Sequence, residues 1–141
     1  MIQLITGAKG TGKTKQIIDM ANANVETANG DIVFVTYTDR YMCSIVHKVR
    51  VVNAEECLKH GDAPIPTAAL IGFIKGLLAG NHDIEALYVD GAHRILDKTV
   101  QEMQNFFDDM YELSHGTDVK IVLTVSEDED KFPEFIKKYR G

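Results

Sequence analysis

Glycine, lysine and threonine residues recur at a fixed spacing close to the start of the chain. The segment fits the pattern G-x-x-x-x-G-K-[ST], the phosphate-binding loop or Walker A motif, at every specified position. Its residues are Gly7, Ala8, Lys9, Gly10, Thr11, Gly12, Lys13 and Thr14. A loop of this kind turns its backbone N–H groups inward around a triphosphate, and some of its dihedral angles suit only glycine. The pattern therefore predicts a binding site for nucleotide phosphates.

The last two residues of this loop carry side chains with separate tasks. Lys13 is expected to reach the β- and γ-phosphates, so it is a candidate for catalysis as well as for binding. The Thr14 hydroxyl is expected to complete the ligand shell of a Mg²⁺ ion, which keeps several waters and takes few protein ligands. The helix that begins here adds free N–H groups and a partial positive charge.

The flanking residues supply the strand and the helix that such a loop requires. Residues 2–6 form an apolar run typical of a buried strand, and Asn29-Gly30 is a helix stop signal. The apolar residues that recur near helical spacing after the loop are Ile17, Ile18, Ala21 and Val25. The alternative, a glycine-rich turn with an incidental lysine, is disfavoured because pattern and context both match.

An aspartate closes a second apolar run, at residues 84–90. Asp90 fits the Walker B pattern, in which the carboxylate holds Mg²⁺, often through water, beside the Thr14 hydroxyl. An aspartate that caps the next helix is the alternative. The Walker A motif in the same chain favours Asp90 as a metal ligand.

Hydrolysis needs a group that positions water, in addition to bound phosphates and magnesium. Asp39, just after the second predicted strand, is the candidate catalytic residue, with a turn-forming aspartate as its alternative. His93 is a second candidate, whose alternative is a residue at a helix start. Thr124 or Ser126, at the end of the last predicted strand, could hydrogen-bond to the γ-phosphate or be ordinary strand-end hydroxyls.

Two arginines are candidates to stabilise charge in a transition state. Arg40 follows the second predicted strand, and Arg94 follows the Walker B segment. A solvated side chain is the alternative for each of them.

Strands alternate with helices along the remaining sequence. Strands are predicted at 31–38, 47–53, 84–90 and 120–126, and helices at 65–79, at about 97–114 and in a short terminal segment at 132–139. This alternation predicts an α/β fold with a mostly parallel sheet of about five strands, covered by helices on both faces. Residues 1–141 are expected to form one domain. Ligands of such sheets bind outside the carboxyl ends of the strands.

Composition limits the choice of partners and compartment. The 141 residues carry a net charge of −6, which argues against a broad basic face for nucleic acid but leaves a local patch open. Cys43 and Cys57 show no metal-ligand spacing and, with no visible signal peptide, indicate reduced thiols in a cytoplasmic protein. The apolar helix at 65–79 is too short and too interrupted to span a membrane. It predicts a helix enclosed in the core or, alternatively, an interface with a second copy or a protein partner.

The two motifs and the α/β layout resemble the P-loop NTPase superfamily. Strands predicted between the motifs make the layout similar to recombinase-type ATPases, rather than to small-molecule kinases whose motif strands are adjacent. The motif order also resembles bacterial thymidine kinases and small bacterial P-loop proteins of uncharacterised activity. The thymidine kinases have a catalytic glutamate where Gly91 stands, and a zinc lobe that this sequence lacks.

The resemblance implies a nucleotide-binding protein with ATP and magnesium as cofactors. Adenine is favoured over guanine because the sequence has no N/T-K-x-D motif. Gly91 favours a slow or partner-dependent NTPase over a fast motor. A nucleotide-dependent switch or assembly factor with little turnover is the alternative, and a phosphotransferase similar to thymidine kinase is a third possibility.

Overall fold

The computed structural model describes residues 1–38 and 40–139, and five parallel strands form its single described sheet. In chain order the elements are β1 (Ile2–Gly7), α1 (Lys13–Val25), β2 (Asp31–Thr36), β3 (Arg50–Asn53), α2 (Ala54–Leu58), α3 (Thr67–Gly80), β4 (Ile84–Val89), α4 (Ala92–Leu96), α5 (Gln104–His115) and β5 (Lys120–Ser126). Short 3₁₀ turns lie at Met42–Ser44, Val100–Glu102, Glu129–Lys131 and Glu134–Tyr139. The helices α2 and α4 are not predicted by the sequence patterns.

The order of the strands brings the two motif-bearing strands close without making them neighbours. The sheet runs β1-β5-β4-β2-β3, so β5 lies between β1, which leads into the glycine-rich loop, and β4, which ends at Asp90. Gly7 pairs with Ser126, and Val89 pairs with Leu123. The predicted parallel α/β sheet is confirmed, and one strand, β5, separates the two motif-bearing strands.

Both faces of the sheet are covered, because strand residues alternate between two apolar clusters. Leu87, Val89 and Leu123 point into a cluster with α3 and α5, whereas Tyr88 and Val122 point into a cluster with α1. Near-continuous apolar strands of this kind are typical of a parallel sheet that is buried on both sides. The result is a three-layer arrangement with the sheet in the middle.

One predicted helix is interrupted. The prediction of a continuous helix over about 97–114 is wrong, because a separate 3₁₀ turn precedes α5, which begins at Gln104. The Glu102 carboxylate accepts from the Thr99 backbone N–H and from the Thr99 hydroxyl, each at 3.0 Å. This capping box closes a turn of its own. The short terminal segment is likewise 3₁₀ rather than α-helical.

The apolar helix α3 is buried on one face only. Leu70, Ile71 and Ile74 are buried, whereas Gly72 and Gly76 are exposed. The prediction that the core encloses this helix on all sides is therefore wrong, and the predicted interface with a partner stays a prediction. Among the described residues, no helix has the length and apolar character that a membrane crossing needs.

Candidate functional site

A cavity of about 510 Å³ opens at the carboxyl edge of the sheet. Its floor is the glycine-rich loop of residues 7–14, here called the P-loop, together with the ends of β4 and β5. Arg40 and Tyr41, which follow β2, and Arg94 of α4 also line the cavity. Ligands of open parallel sheets bind at this edge.

Glycine conformations shape the P-loop at two points. Gly12 has a φ of 87°, in the left-handed region that favours glycine, and it forms the start of α1. A Cβ atom on Gly7 would lie 3.0 Å from the Thr11 hydroxyl oxygen, so a side chain at that position would crowd the loop. No side chain caps the start of α1. Its first N–H groups and the positive end of its dipole are thus available for an anion.

The Lys13 ammonium lies inside the curve of the P-loop. Its Nζ donates to the Ala8 carbonyl oxygen at 2.6 Å and to the Thr11 hydroxyl at 3.4 Å. Burial lowers the pKa of Lys13, and the nearby Asp90 carboxylate partly opposes this shift. Because a buried ammonium with little compensating charge is costly, this arrangement favours the arrival of an anion.

Asp90 is buried and held in place by hydrogen bonds of its backbone N–H and of its carboxylate, which accepts from two threonine hydroxyls. Its backbone N–H donates to the Val35 carbonyl at 2.9 Å, and the Thr124 hydroxyl donates to its Oδ1 at 2.7 Å. The Thr14 hydroxyl donates to Oδ2 at 3.1 Å. One carboxylate oxygen is thus fixed by β5, while the other faces the threonine of the P-loop.

The Thr14 and Asp90 oxygens fit a magnesium ion. Two oxygen ligands roughly 2.1 Å from an octahedral ion lie about 3 Å apart when they occupy adjacent corners. The 3.1 Å between Thr14 Oγ1 and Asp90 Oδ2 matches that spacing. The described residues form no group of three or more histidine, cysteine, aspartate or glutamate side chains for a metal. A magnesium ion held by Thr14 and Asp90 would take its other ligands from water and phosphate.

Thr124 links Asp90 to the residue that follows it. The Gly91 backbone N–H donates to the Thr124 hydroxyl oxygen at 2.7 Å, and that hydroxyl in turn donates to Asp90. Thr124 therefore orients the carboxylate, and it also lines the cavity. Gly91 itself has a φ of 71°, so a glutamate at this position would be strained.

His93 lies on α4 and lines the same cavity. Its Nδ1 accepts a long hydrogen bond of 3.4 Å from the Ser126 backbone N–H. Burial, together with the charges of Arg94 and Lys13, lowers the pKa of His93 to about 4, although Asp90 and Glu127 oppose the shift. The imidazole is therefore neutral at pH 7.

The remaining candidates are distributed as follows. Arg40 and Arg94 both line the cavity, and their guanidinium groups lie over the rings of Tyr41 and Tyr37, at 5.5 Å and 5.9 Å from the ring centroids. Asp39 lies outside the described residues. The sequence patterns did not single out Tyr41, although its place just after β2 was the available signal.

Comparison with solved structures shows the fold. The chain is similar to the flagellar accessory protein FlaH from Methanocaldococcus jannaschii, with a TM-score of 0.55 and 13% sequence identity. The match covers 97% of this chain and 65% of FlaH, so the chain spans about two thirds of that protein's length. No family model matches the sequence, and no curated protein matches it. Together, the sheet and this likeness show an α/β fold with a five-stranded parallel sheet, similar to that of FlaH.

Proposed function

We propose that the protein binds ATP with Mg²⁺ in the P-loop cavity and hydrolyses it slowly or only with a partner. Residues 7–14 would hold the phosphates, Lys13 would contact the β- and γ-phosphates, and Thr14 and Asp90 would hold the metal. Bound magnesium would neutralise phosphate charge and orient the terminal phosphate. The observation that carries the proposal is the convergence of the buried Lys13 ammonium and the Thr14–Asp90 pair at one cavity.

The charges around the cavity support an anionic ligand. Lys9, Lys13, Arg40 and Arg94 line it, and Asp90 is the one carboxylate among the described residues that do so. A triphosphate with its metal would offset this excess of positive charge. The choice of adenine over guanine rests on the missing N/T-K-x-D motif.

The residues that line the cavity also support slow hydrolysis of the nucleotide. A fast hydrolase needs a group that orients water near the terminal phosphate. Asp90 is occupied by Thr124 and Thr14, and Gly91 has no side chain. Hydrolysis then depends on Asp39, as proposed from the sequence, or on a group from a partner. A nucleotide-dependent switch with little turnover is the second candidate, and the glycine at position 91 favours it equally.

A thermal-shift panel of ATP, ADP, GTP and GDP, each with and without Mg²⁺, tests the binding. Stabilisation that is largest for ATP with Mg²⁺ is expected. Stabilisation by none of these nucleotides would contradict the proposal.

Phosphate release measured across a range of protein concentrations separates the two candidates. A specific rate that rises with concentration supports a hydrolase that acts as an oligomer. A rate that stays negligible at every concentration excludes a hydrolase that acts alone or as an oligomer, and leaves the switch or a hydrolase that needs a different protein partner. A fast rate independent of concentration would contradict both.

A further inference from the structure

We propose that His93 binds the terminal phosphate of the nucleotide through its Nε2–H group and so distinguishes the triphosphate from the diphosphate. This inference rests on the proposed function and assigns a role to a residue that the P-loop and the metal pair leave unused. In this role His93 would recognise the γ-phosphate and would not act as a base for the attacking water.

The first observation that supports this role is the position of the His93 ring. His93 lines the cavity with Lys13 and Asp90, and the backbone that it contacts belongs to Ser126. Ser126 pairs with Gly7, the first residue of the P-loop, and the next residue donates to the Gly7 carbonyl at 3.1 Å. The ring therefore lies at the beginning of the loop, on the side where the Lys13 ammonium meets the Ala8 carbonyl.

The beginning of the P-loop is where the terminal phosphate of a triphosphate would lie. The start of α1 follows Gly12, at the opposite end of the loop, and its N–H groups suit the phosphates nearer the nucleoside. The lysine of such a loop reaches the β- and γ-phosphates. A group beside the Lys13 ammonium and the magnesium ligand Asp90 is thus placed at the terminal phosphate.

The hydrogen bond to Ser126 fixes what the ring can do. A backbone N–H can only donate, so Nδ1 must carry the lone pair and the ring proton must lie on Nε2. His93, which lines the cavity, then carries its N–H donor on Nε2 and keeps no free basic nitrogen for a proton from water. A phosphate oxygen is a strong acceptor for such a donor because it is charged.

The contact would also connect the nucleotide to two elements of the fold. His93 belongs to α4, which follows directly after Asp90, and its ring is bonded to the end of β5. Loss of the terminal phosphate would leave the Nε2–H group without that acceptor. The effect of removing His93 is therefore expected in ATP binding and not in ADP binding.

The first test compares nucleotide affinities of the full-length protein by isothermal titration calorimetry with Mg²⁺. In His93→Ala the affinity for the non-hydrolysable analogue AMP-PNP should fall about tenfold, while the affinity for ADP stays unchanged. His82→Ala, at an exposed histidine on the opposite edge of the sheet, is the matched control and should change neither. His93→Gln retains an N–H donor and should recover part of the lost affinity.

The outcomes separate this inference from the proposed function. An equal loss of AMP-PNP and ADP affinity in His93→Ala, or no loss of either, would overturn the role of His93 while leaving nucleotide binding intact. Binding of neither nucleotide by the wild-type protein would overturn both.

A second test observes the ring of the wild-type protein directly and uses a variant only to assign its signals. The protein has five histidines, and the ¹⁵N signals of His93 are assigned as those missing from the His93→Gln spectrum. The spectrum should show the Nε2–H tautomer without nucleotide. Addition of AMP-PNP with Mg²⁺ should shift the Nε2 signal, whereas ADP with Mg²⁺ should not. A proton on Nδ1, or identical shifts with both nucleotides, would contradict the proposal.

Discussion

Two hollows of nearly equal volume lie at opposite edges of the same sheet. The P-loop cavity measures about 510 Å³, and the hollow at the amino ends of β2, β4 and β5 measures about 520 Å³. Four lysine or arginine side chains line the first, whereas no lysine or arginine is among the described residues that line the second. The second hollow instead carries Asp83, Glu85 and Asp118.

The two hollows also differ in how their charges are held. In the P-loop cavity Lys13 is only 8% exposed and Asp90 only 6%, whereas the three acidic residues of the amino-end hollow are exposed. Buried charges are costly unless they are paired or used, while exposed carboxylates cost little. Buried and mutually oriented charges therefore identify the candidate site, whereas volume does not.

Among the variants considered, replacement of Lys13 should have the largest effect, because it should abolish nucleotide binding in the P-loop cavity. A ligand present at 100 times its dissociation constant stabilises its protein by about 2.7 kcal/mol. Lys13→Ala should lose most of the stabilisation that ATP with Mg²⁺ confers, as measured by thermal unfolding. Asp118→Asn, in the other hollow, is the control and should keep the full shift. A shift that survives in Lys13→Ala would count against the P-loop as the binding site.

Replacement of Thr124 should lower the stability of the protein itself. In Thr124→Val the Gly91 N–H loses its acceptor, and Asp90 loses the shorter of its side-chain hydrogen bonds, both in a buried setting. The free energy of unfolding should fall by about 2 kcal/mol, as measured by urea denaturation. Thr124→Ser keeps the hydroxyl and is the control. Equal losses in the two variants would indicate that packing, rather than the hydrogen bonds, accounts for the effect.

Replacement of Asp90 should weaken ATP binding mainly when Mg²⁺ is present. Asp90→Asn keeps the shape of the side chain and an oxygen that can accept from Thr124, but it removes the charge that faces Thr14. Affinity for ATP should fall about tenfold in the presence of Mg²⁺ and change little in its absence. Calorimetry with and without the metal measures both values. The same loss in the two conditions would exclude Asp90 as a magnesium ligand.

The pH dependence of stability should show a smaller effect from His93. Its pKa is about 4 in the folded protein and near 6.5 when unfolded, so the unfolded chain binds the proton more readily. Its contribution is complete above about pH 6.5 and is lost as the pH falls towards 4.

After allowance for solvent screening of a half-buried ring, this loss is on the order of 1 kcal/mol. Urea denaturation from pH 7 to pH 4 should therefore show a steeper decline for the wild-type protein than for His93→Gln. Parallel declines would mean that His93 titrates normally in the folded protein.

Local sequence signals predict the P-loop and its two flanking elements. Glycine at its fixed spacing, the apolar run of β1 and the periodicity of α1 act within a few residues of one another, and the structure has both elements in place. The capping box Thr99–Glu102 was also readable as the beginning of a separate turn. The apolar stripe that runs through 100–113 concealed it, because apolar residues continue across the break.

Hydrogen bonds between residues that are distant in the sequence could not be predicted from such local signals. Asp90 and Thr124 are both candidates from the sequence, but their hydrogen bond exists because β5 lies beside β4 in the sheet. The hydrogen bond between His93 and Ser126 likewise depends on β5 being the neighbour of β1 in the sheet. Strand order is a property of the whole chain, so periodicity and motif spacing do not determine it.

A crystal structure with Mg²⁺ and AMP-PNP tests the central claim most directly. The account predicts phosphates inside residues 7–14, with the Lys13 ammonium moved from the Ala8 carbonyl to the phosphate oxygens and the metal between Thr14 and Asp90. A ligand bound elsewhere, with Lys13 still hydrogen-bonded to Ala8 in an empty loop, would contradict it.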